Sequence, residues 1–226
     1  MSRAVLVATV VALILAACGP APRLTPAQQA ALPGEHVVVI GDSYTVGVDN
    51  DPEDPDLWPA MVWSRLRDLH YEIQPTVAGE GGAGYVNIGT RGGVFADKLP
   101  AVQPSTDLVI IFGSPNDVGT PPDTLRSAVH DTLARARTAA PAARLLVIGP
   151  AWPRPDPSPE VWQVRDIVRD EAAGIGATFA DPLAQRWWWD DPNLIGWDRV
   201  HPTRAGNEYL AQRILPLIEA QLPPPK

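Results

Sequence analysis

The sequence HVVVIGDSYT, residues 36–45, carries the clearest structural pattern in this chain. Four apolar residues, Val37–Ile40, run without polar interruption and are followed by Gly41, Asp42 and Ser43. A short β-branched run closed by glycine is typical of a strand in a parallel sheet that is covered on both faces. Open α/β sheets bind ligands just beyond the carboxyl ends of such strands. The stretch therefore predicts a buried strand with Ser43 at a binding edge, although a strand ending in an ordinary polar turn has the same pattern.

The rest of the chain alternates between strand-like and helix-like segments and shows no internal repeat. The patterns predict further strands at 71–77, 107–112, 144–148 and 177–180, and helices at 58–69, 122–140, 160–173 and 202–217. Alternation of this kind points to an α/β fold with a mainly parallel sheet. We expect one domain over residues 35–222, followed by a Pro-rich tail at 223–226.

Composition limits the function classes. The chain has 226 residues, enough for one domain with a sizeable core. Its net charge of −8 argues against a nucleic-acid-binding surface, although it does not identify a substrate. Cys18 is the only cysteine, so no disulfide can form within the chain and a cysteine-based catalytic or metal site is not expected.

The N-terminus has the features of an export signal. Arg3 precedes an uncharged apolar segment, Ala4–Ala17, which is too short for a comfortable membrane span. The sequence Leu15-Ala16-Ala17-Cys18 resembles the lipobox of bacterial lipoproteins. That resemblance implies a signal peptide at 1–17, a lipidated Cys18 and a protein anchored to the outer face of the cell membrane. A plain secretory signal with an incidental cysteine is the alternative.

A Pro-containing segment, residues 18–34, follows the signal and is expected to act as a tether.

Two later patterns resemble ligand-binding motifs but lack the neighbouring residues that such motifs require. The loop Asp49–Asp56 holds five acidic residues but not the central glycine and distal glutamate of an EF-hand, so we expect a solvated loop and no metal. The segment Gly79–Gly84 matches G-x-G-x-x-G, yet the glycine-rich residues 85–93 follow where a helix should begin. We therefore expect no dinucleotide and no other cofactor.

Other segments remain open as parts of a pocket. The backbone N–H groups of the loop Gly79–Gly84 can approach a ligand closely. The Pro-rich loop at 149–159 is a candidate wall or lid. The tryptophans at 187–189 and Trp197 either line the pocket or fill space under a long loop.

The segment Asp198-Arg199-Val200-His201-Pro202 carries the strongest chemical signal. A serine hydroxyl is a poor nucleophile at neutral pH and needs an adjacent base. Histidine suits that role, and a carboxylate must hold its tautomer. Asp198 and His201 are three residues apart in a predicted tight turn, so their side chains can meet. An aspartate capping a turn beside a surface histidine is the bland alternative.

The chain resembles the SGNH hydrolases, also called the GDSL esterase/lipase family. Four separated segments carry the resemblance, in the family's order: Gly41-Asp42-Ser43, the Gly-rich loop 79–84, Gly113-Ser114-Pro115-Asn116-Asp117 and Asp198-Arg199-Val200-His201-Pro202. The third segment departs from the usual G-x-N-D, since Gly113 lies three residues before Asn116. An α/β-hydrolase nucleophile elbow is not matched, because Thr45 stands where a glycine is needed.

The resemblance implies a three-layer α/β/α sandwich with a flavodoxin-like five-stranded sheet. It also implies that Ser43 is the nucleophile, His201 the base and Asp198 its orienting carboxylate. The oxyanion hole would comprise the Ser43 and Gly82 backbone N–H groups and the Asn116 amide, although Gly81 or Gly79 could align in place of Gly82. Asp42 is expected to have a structural role in the turn.

The function we expect is that of a membrane-tethered serine ester hydrolase. Its substrate would be a small-molecule or glycan acyl ester, such as an O-acyl group on an envelope glycan or a small lipid ester. Acyl transfer by the same residues is one alternative, and a non-catalytic binding lipoprotein on this fold is another. We expect a monomer.

Overall fold

The computed structural model describes residues 31–113 and 115–225. Its centre is a five-stranded sheet in which every pairing is parallel. The strands, in chain order, are β1 (Glu35–Gly41), β2 (Ile73–Gly79), β3 (Leu108–Phe112), β4 (Arg144–Ile148) and β5 (Thr178–Ala180). Their order across the sheet is β2-β1-β3-β4-β5. The predicted parallel five-stranded sheet is confirmed.

Helices connect the strands and cover the sheet. They are α1 (Ser43–Val46), α2 (Trp58–Asp68), α3 (Pro122–Ala139), α4 (Pro159–Gly174) and α5 (Arg204–Glu219), with 3₁₀ turns at Phe95–Ala101, Pro115–Asp117 and Pro192–Leu194. The four long helices agree with the predicted segments to within two residues. The prediction did not include α1 or the turn at Phe95–Ala101, because segments this short show no helical periodicity.

The two faces of the sheet carry separate apolar clusters, as a three-layer sandwich requires. On one face, Val37 and Val39 pack with apolar side chains of α2 and α5. On the other, Val38 and Ile40 pack with side chains of α3 and α4. Both faces of β1 are therefore buried, which explains why its sequence is apolar throughout rather than alternating. The predicted α/β/α architecture is confirmed.

The position of β1 determines which loops meet. β1 lies between β2 and β3, and Gly41 pairs with Gly79 on one side and with Phe112 on the other. Because all three strands end at this edge, the segments that follow them converge above β1. The Gly-rich loop and the turn carrying Asn116 are therefore brought beside Ser43.

The aromatic residues left open by the sequence divide into two groups. Trp187 and Trp188 are buried in the core against α5, whereas Trp197 is 97% exposed. The predicted signal peptide at 1–17, Cys18 and most of the predicted tether lie outside the described residues. Across residues 31–113 and 115–225, no helix has the length and apolar character needed to cross a membrane.

Candidate active site

Ser43 begins the short helix α1, directly after β1. Asp42 caps this helix, and its fully buried carboxylate accepts a hydrogen bond from the Tyr44 N–H at 2.9 Å. A Cβ at Gly41 would lie 2.2 Å from the Thr45 hydroxyl oxygen, so only glycine allows the chain to turn this tightly. The local sequence thus holds Ser43 at the carboxyl edge of the sheet. Asp42 has the structural position expected of it.

His201 links Ser43 to Asp198. The His201 Nε2–Ser43 Oγ distance is 3.0 Å, and the His201 Nδ1–Asp198 Oδ2 distance is 2.7 Å. Asp198 Oδ1 accepts hydrogen bonds from the backbone N–H groups of Val200 and His201 at 2.9 and 3.0 Å. Ser43 and His201 are 158 residues apart in sequence, so only the fold brings them together.

The charge on Asp198 determines the direction of these hydrogen bonds. Burial raises the pKa of Asp198, but the hydrogen bonds from His201 and from the two backbone N–H groups outweigh it and hold the pKa at about 2. An ionised carboxylate can only accept, so His201 Nδ1–H is the donor. In the neutral imidazole with its proton on Nδ1, Nε2 carries the lone pair and accepts a hydrogen bond from the Ser43 hydroxyl. The arrangement has the geometry that a serine needs in order to be activated by a histidine base that a carboxylate orients.

The turn carrying Asp198 and His201 is held by its own backbone. The Gly196 N–H donates to the His201 carbonyl at 2.7 Å, and the Arg199 N–H donates to the Gly196 carbonyl at 2.9 Å. Thr203 then caps α5, accepting from the Gly206 N–H at 3.2 Å. This closed turn explains how two side chains only three residues apart come into contact directly before a helix.

The Gly-rich loop places a donor near the nucleophile. Gly82, with φ of +75°, lines one cavity with Ser43 and Asn116. The Gly81 N–H donates to the Asn50 side chain at 2.5 Å, and the Glu80 N–H donates to the Gly41 carbonyl. Among the described residues, neither the Gly82 nor the Ser43 N–H has a hydrogen-bond acceptor. This pattern favours Gly82 over Gly81 as a donor to a ligand.

Asn116 lies in the 3₁₀ turn after β3 and lines the same cavity. Its side-chain nitrogen donates to the Ala83 carbonyl at 2.9 Å and lies 3.4 Å from Asp42 Oδ2. The Asn116 amide therefore lies between Asp42, which precedes Ser43, and Ala83 of the Gly-rich loop. Pro115, the extra residue of this motif, opens the 3₁₀ turn and lines the cavity beside it.

Two buried carboxylates, which the sequence patterns did not reveal, hold residues 85–93, directly after the Gly-rich loop. Asp117 accepts from the backbone N–H groups of Tyr85, Val86 and Asn87 at 2.8, 2.9 and 2.8 Å. Glu80 accepts from the N–H groups at 91 and 93 and pairs with Lys98. The exposed fraction is only 1% for each. Their adjacency to Asn116 and to the Gly-rich segment was the available signal, since buried carboxylates require dedicated partners.

Two cavities meet at Ser43 and His201. One, of about 310 Å³, is lined by Tyr44, Gly82 and Asn116 among others. The other, of about 330 Å³, is lined by acidic residues of the 49–56 loop, by Trp197 and by Asp198. The Pro-rich loop at 149–159 lines neither of these two cavities. Within residues 31–113 and 115–225, no three His, Cys, Asp or Glu side chains are grouped so that they could hold a metal ion.

The fold brings a serine, a histidine and an aspartate into one hydrogen-bonded chain at the carboxyl edge of a parallel sheet. The chain belongs to the GDSL-like Lipase/Acylhydrolase family, whose sequence model matches residues 39–209. It is 46% identical over 190 residues to GDSL lipase Rv0518 of Mycobacterium tuberculosis (strain ATCC 25618 / H37Rv), with 82% of each protein covered. These matches identify a carboxylic ester hydrolase.

Solved structures share the fold at low sequence identity. TesA superposes with a TM-score of 0.69 at 22% identity, covering 83% of this chain and 100% of TesA. A lipase/acylhydrolase from Enterococcus faecalis superposes with a TM-score of 0.66 at 18% identity, covering 85% of this chain and 99% of that one. The expected fold class is thus supported independently of the sequence motifs.

Proposed function

We propose that this protein cleaves acyl esters through a triad of Ser43, His201 and Asp198. The observation that carries the proposal is the continuous hydrogen-bond chain from Ser43 Oγ through His201 to Asp198. The chemical identities of these three groups, the distances between them and the directions of their hydrogen bonds are those that nucleophilic catalysis needs. They stand beside two cavities large enough for the two halves of a small ester.

The reaction proceeds in two halves. His201 Nε2 takes the Ser43 proton as Ser43 Oγ attacks the ester carbonyl carbon. When the tetrahedral intermediate collapses, the C–O bond to the alcohol breaks and His201 Nε2–H protonates the leaving oxygen. His201 then deprotonates a water that attacks the acyl-enzyme, and the carboxylic acid leaves as Ser43 regains its proton. Asp198 stabilises the imidazolium in both halves.

The oxyanion hole comprises the Ser43 N–H, the Gly82 N–H and the Asn116 amide. The two backbone donors have no acceptor among the described residues and line the cavity around Ser43. The Asn116 amide donates to the Ala83 carbonyl at 2.9 Å and, over a longer 3.4 Å, to Asp42 Oδ2, and we propose that the longer hydrogen bond is exchanged for one to the oxyanion. Such donors stabilise the transition state most when they are already in place before the reaction.

The substrate class is an acyl ester, such as an O-acyl group on an envelope glycan or a small lipid ester. Capture of the acyl-enzyme by an alcohol instead of water would make the protein an acyltransferase. A lipoprotein that binds a ligand without catalysis is the non-enzymatic alternative, and the presence of Ser43, Asn116, Asp198 and His201 together argues against it.

We also propose that the protein is exported and anchored to the membrane through lipidated Cys18. Mass spectrometry of the mature N-terminus tests this proposal, and a free N-terminus at another residue would contradict it.

The proposal is tested with p-nitrophenyl acetate, butyrate and octanoate, comparing the wild-type protein with Ser43→Ala. We expect turnover by the wild type, none above background by the variant, and covalent labelling of Ser43 by a fluorophosphonate. If esters are not hydrolysed and Ser43 is not labelled, the binding-protein alternative gains. Addition of an alcohol acceptor distinguishes acyl transfer, because the transferred ester then accumulates in place of the free acid.

A further inference from the structure

The 330 Å³ cavity beside the triad has an unusual wall. We call this cavity the acidic cleft. It is bounded by the 49–56 loop on one side and by Gly196, Trp197 and Asp198 on the other. Trp197 is 97% exposed, and of the eight tryptophans in the chain it is the single one that is not at least partly buried. An indole left in water gives up the burial that normally stabilises it. Its position next to Asp198 places this flat apolar surface beside the reacting atoms.

The position of the cleft identifies which half of the ester enters it. His201 must protonate the leaving oxygen, so the alcohol half lies on the His201 side of Ser43. The carbonyl oxygen lies on the opposite side, toward Gly82 and Asn116. His201 lines both cavities, but Asp198 lines only the acidic cleft, whereas Gly82 and Asn116 line only the other cavity. The acidic cleft therefore belongs to the alcohol half.

The charges of the cleft restrict the alcohol. Five aspartates line it, against one arginine: Asp49, Asp51, Asp54, Asp56, Asp198 and Arg204. Arg204 is paired with Asp56 at 2.6 Å. Asp51 and Asp54 each bond a loop N–H through Oδ1, and Asp49 has no hydrogen bond to a described residue. The cavity thus combines an aromatic side chain with carboxylate oxygens, which can accept hydrogen bonds from hydroxyl groups. The same carboxylates would repel an alcohol that carries a negative charge.

We propose that the acidic cleft binds the alcohol half of the ester and that this alcohol is an uncharged, hydroxyl-rich ring such as a sugar. The C–H face of the ring packs on the Trp197 indole, whose π face is electron-rich. Hydroxyls on the opposite face donate to the carboxylates of the 49–56 loop. These carboxylates do not converge on one point, as a cation would require, so they suit several separate hydroxyls. The inference rests on the proposed ester hydrolysis.

The test uses four acetates that share the acyl group and differ in the alcohol: ethyl acetate, 6-O-acetylglucose, acetylcholine and acetoxyacetate. We expect the highest kcat/KM for acetylglucose and the lowest for acetoxyacetate. In Trp197→Ala, the ratio of kcat/KM for acetylglucose over ethyl acetate should fall about tenfold, chiefly through KM. Trp197→Phe should recover part of it. Leu69→Ala, which removes an exposed apolar side chain from the end of α2, should leave the ratio unchanged.

Asp49→Asn tests the charge separately. It should raise kcat/KM for acetoxyacetate roughly threefold at low salt, with the gain lost as ionic strength rises. A preference for acetylcholine that Trp197→Ala removes would overturn the proposal in favour of a cationic alcohol. If Trp197→Ala leaves the ratio of kcat/KM for acetylglucose over ethyl acetate unchanged, the sugar proposal is overturned. Ester hydrolysis itself still stands in that case, provided that turnover of ethyl acetate depends on Ser43. Absence of turnover with all four acetates and of Ser43 labelling would overturn both.

Discussion

The two sides of Ser43 are built in opposite ways. On the Gly-rich side, buried Glu80 and Asp117 accept five backbone hydrogen bonds between them and hold the loop from 85 to 93. On the other side, the acidic cleft is bordered by exposed or partly buried aspartates, two of which accept hydrogen bonds from N–H groups of their own loop. Stabilising an oxyanion requires fixed donors, whereas recognising an alcohol requires accessible groups. We therefore expect the Gly-rich side to supply the oxyanion donors and the acidic cleft, which also holds His201 and Asp198, to determine which alcohols are accepted.

The largest effect should come from the group shared by both sides. Ser43→Ala should lower kcat by at least about 10⁴-fold for every ester, because no covalent intermediate can form. Thermal unfolding should be nearly unchanged, since Ser43 is not in the core. Steady-state assays with several acyl chain lengths measure this. Residual Ser43-independent activity of wild-type size would remove the triad from the mechanism.

Asn116→Ala should be the next largest effect and should act on the Gly-rich side alone. Loss of one oxyanion donor typically lowers kcat by about 10²–10³-fold. The ranking of alcohols should be preserved, because the acidic cleft does not include Asn116. Comparing kcat/KM for ethyl acetate and acetylglucose measures both points. A change in that ratio as large as the loss of kcat would contradict the division of the site.

Asp117→Asn should have a smaller effect, and an indirect one. Asp117 touches no reacting atom but positions the 85–87 backbone, so the variant weakens three charge-assisted hydrogen bonds. We expect kcat to fall about tenfold to a hundredfold with little change in KM, and the free energy of unfolding to drop by about 1–3 kcal/mol. Asp68→Asn, at an exposed position, is the matched control. A loss of stability with kcat intact would reduce Asp117 to a structural residue.

The smallest effect concerns pH. The pKa of Asp198 is lowered to about 2 from its ordinary 3.8, so its carboxylate stabilises the folded state above about pH 4 and loses this contribution as the pH falls toward 2. A shift of this size corresponds to about 2 kcal/mol, which solvent screening of a side chain one-third exposed reduces to about 1 kcal/mol. The free energies of unfolding of the wild type and Asp198→Asn, measured in urea, should differ by a constant amount from pH 5 to 8 and converge below pH 4. A difference that instead grew at low pH would contradict the direction of the shift.

Much of the fold could be read from local patterns because each pattern has a local physical cause. Val37–Ile40 is apolar throughout since both faces of β1 are buried, and the long helices repeat apolar residues at helical spacing. Asp198 and His201 could be paired from sequence because they share one turn. Helix α1 has a single turn, too short to show any period.

The supporting carboxylates could not be recognised in this way. Asp117 bonds backbone groups about 30 residues away, and Glu80 bonds groups 11 and 13 residues away. Backbone N–H partners leave no mark on the sequence, so the position of these acids beside Asn116 and in the Gly-rich loop was the one local hint that they are buried. The tryptophans show the same limit: Trp188 and Trp197 are nine residues apart, and one is 2% exposed and the other 97%.

Local sequence patterns were enough to predict the parallel sheet, the order of the strands along the chain and the residues proposed as nucleophile, base and carboxylate. These follow from periodicity, glycine placement and side-chain chemistry, which are properties of short segments. The same patterns could not show which side chains meet across 158 residues, which glycine N–H has no acceptor among the described residues, or which tryptophan faces solvent. Those outcomes depend on how distant segments pack at one edge of the sheet, and packing is a property of the whole domain.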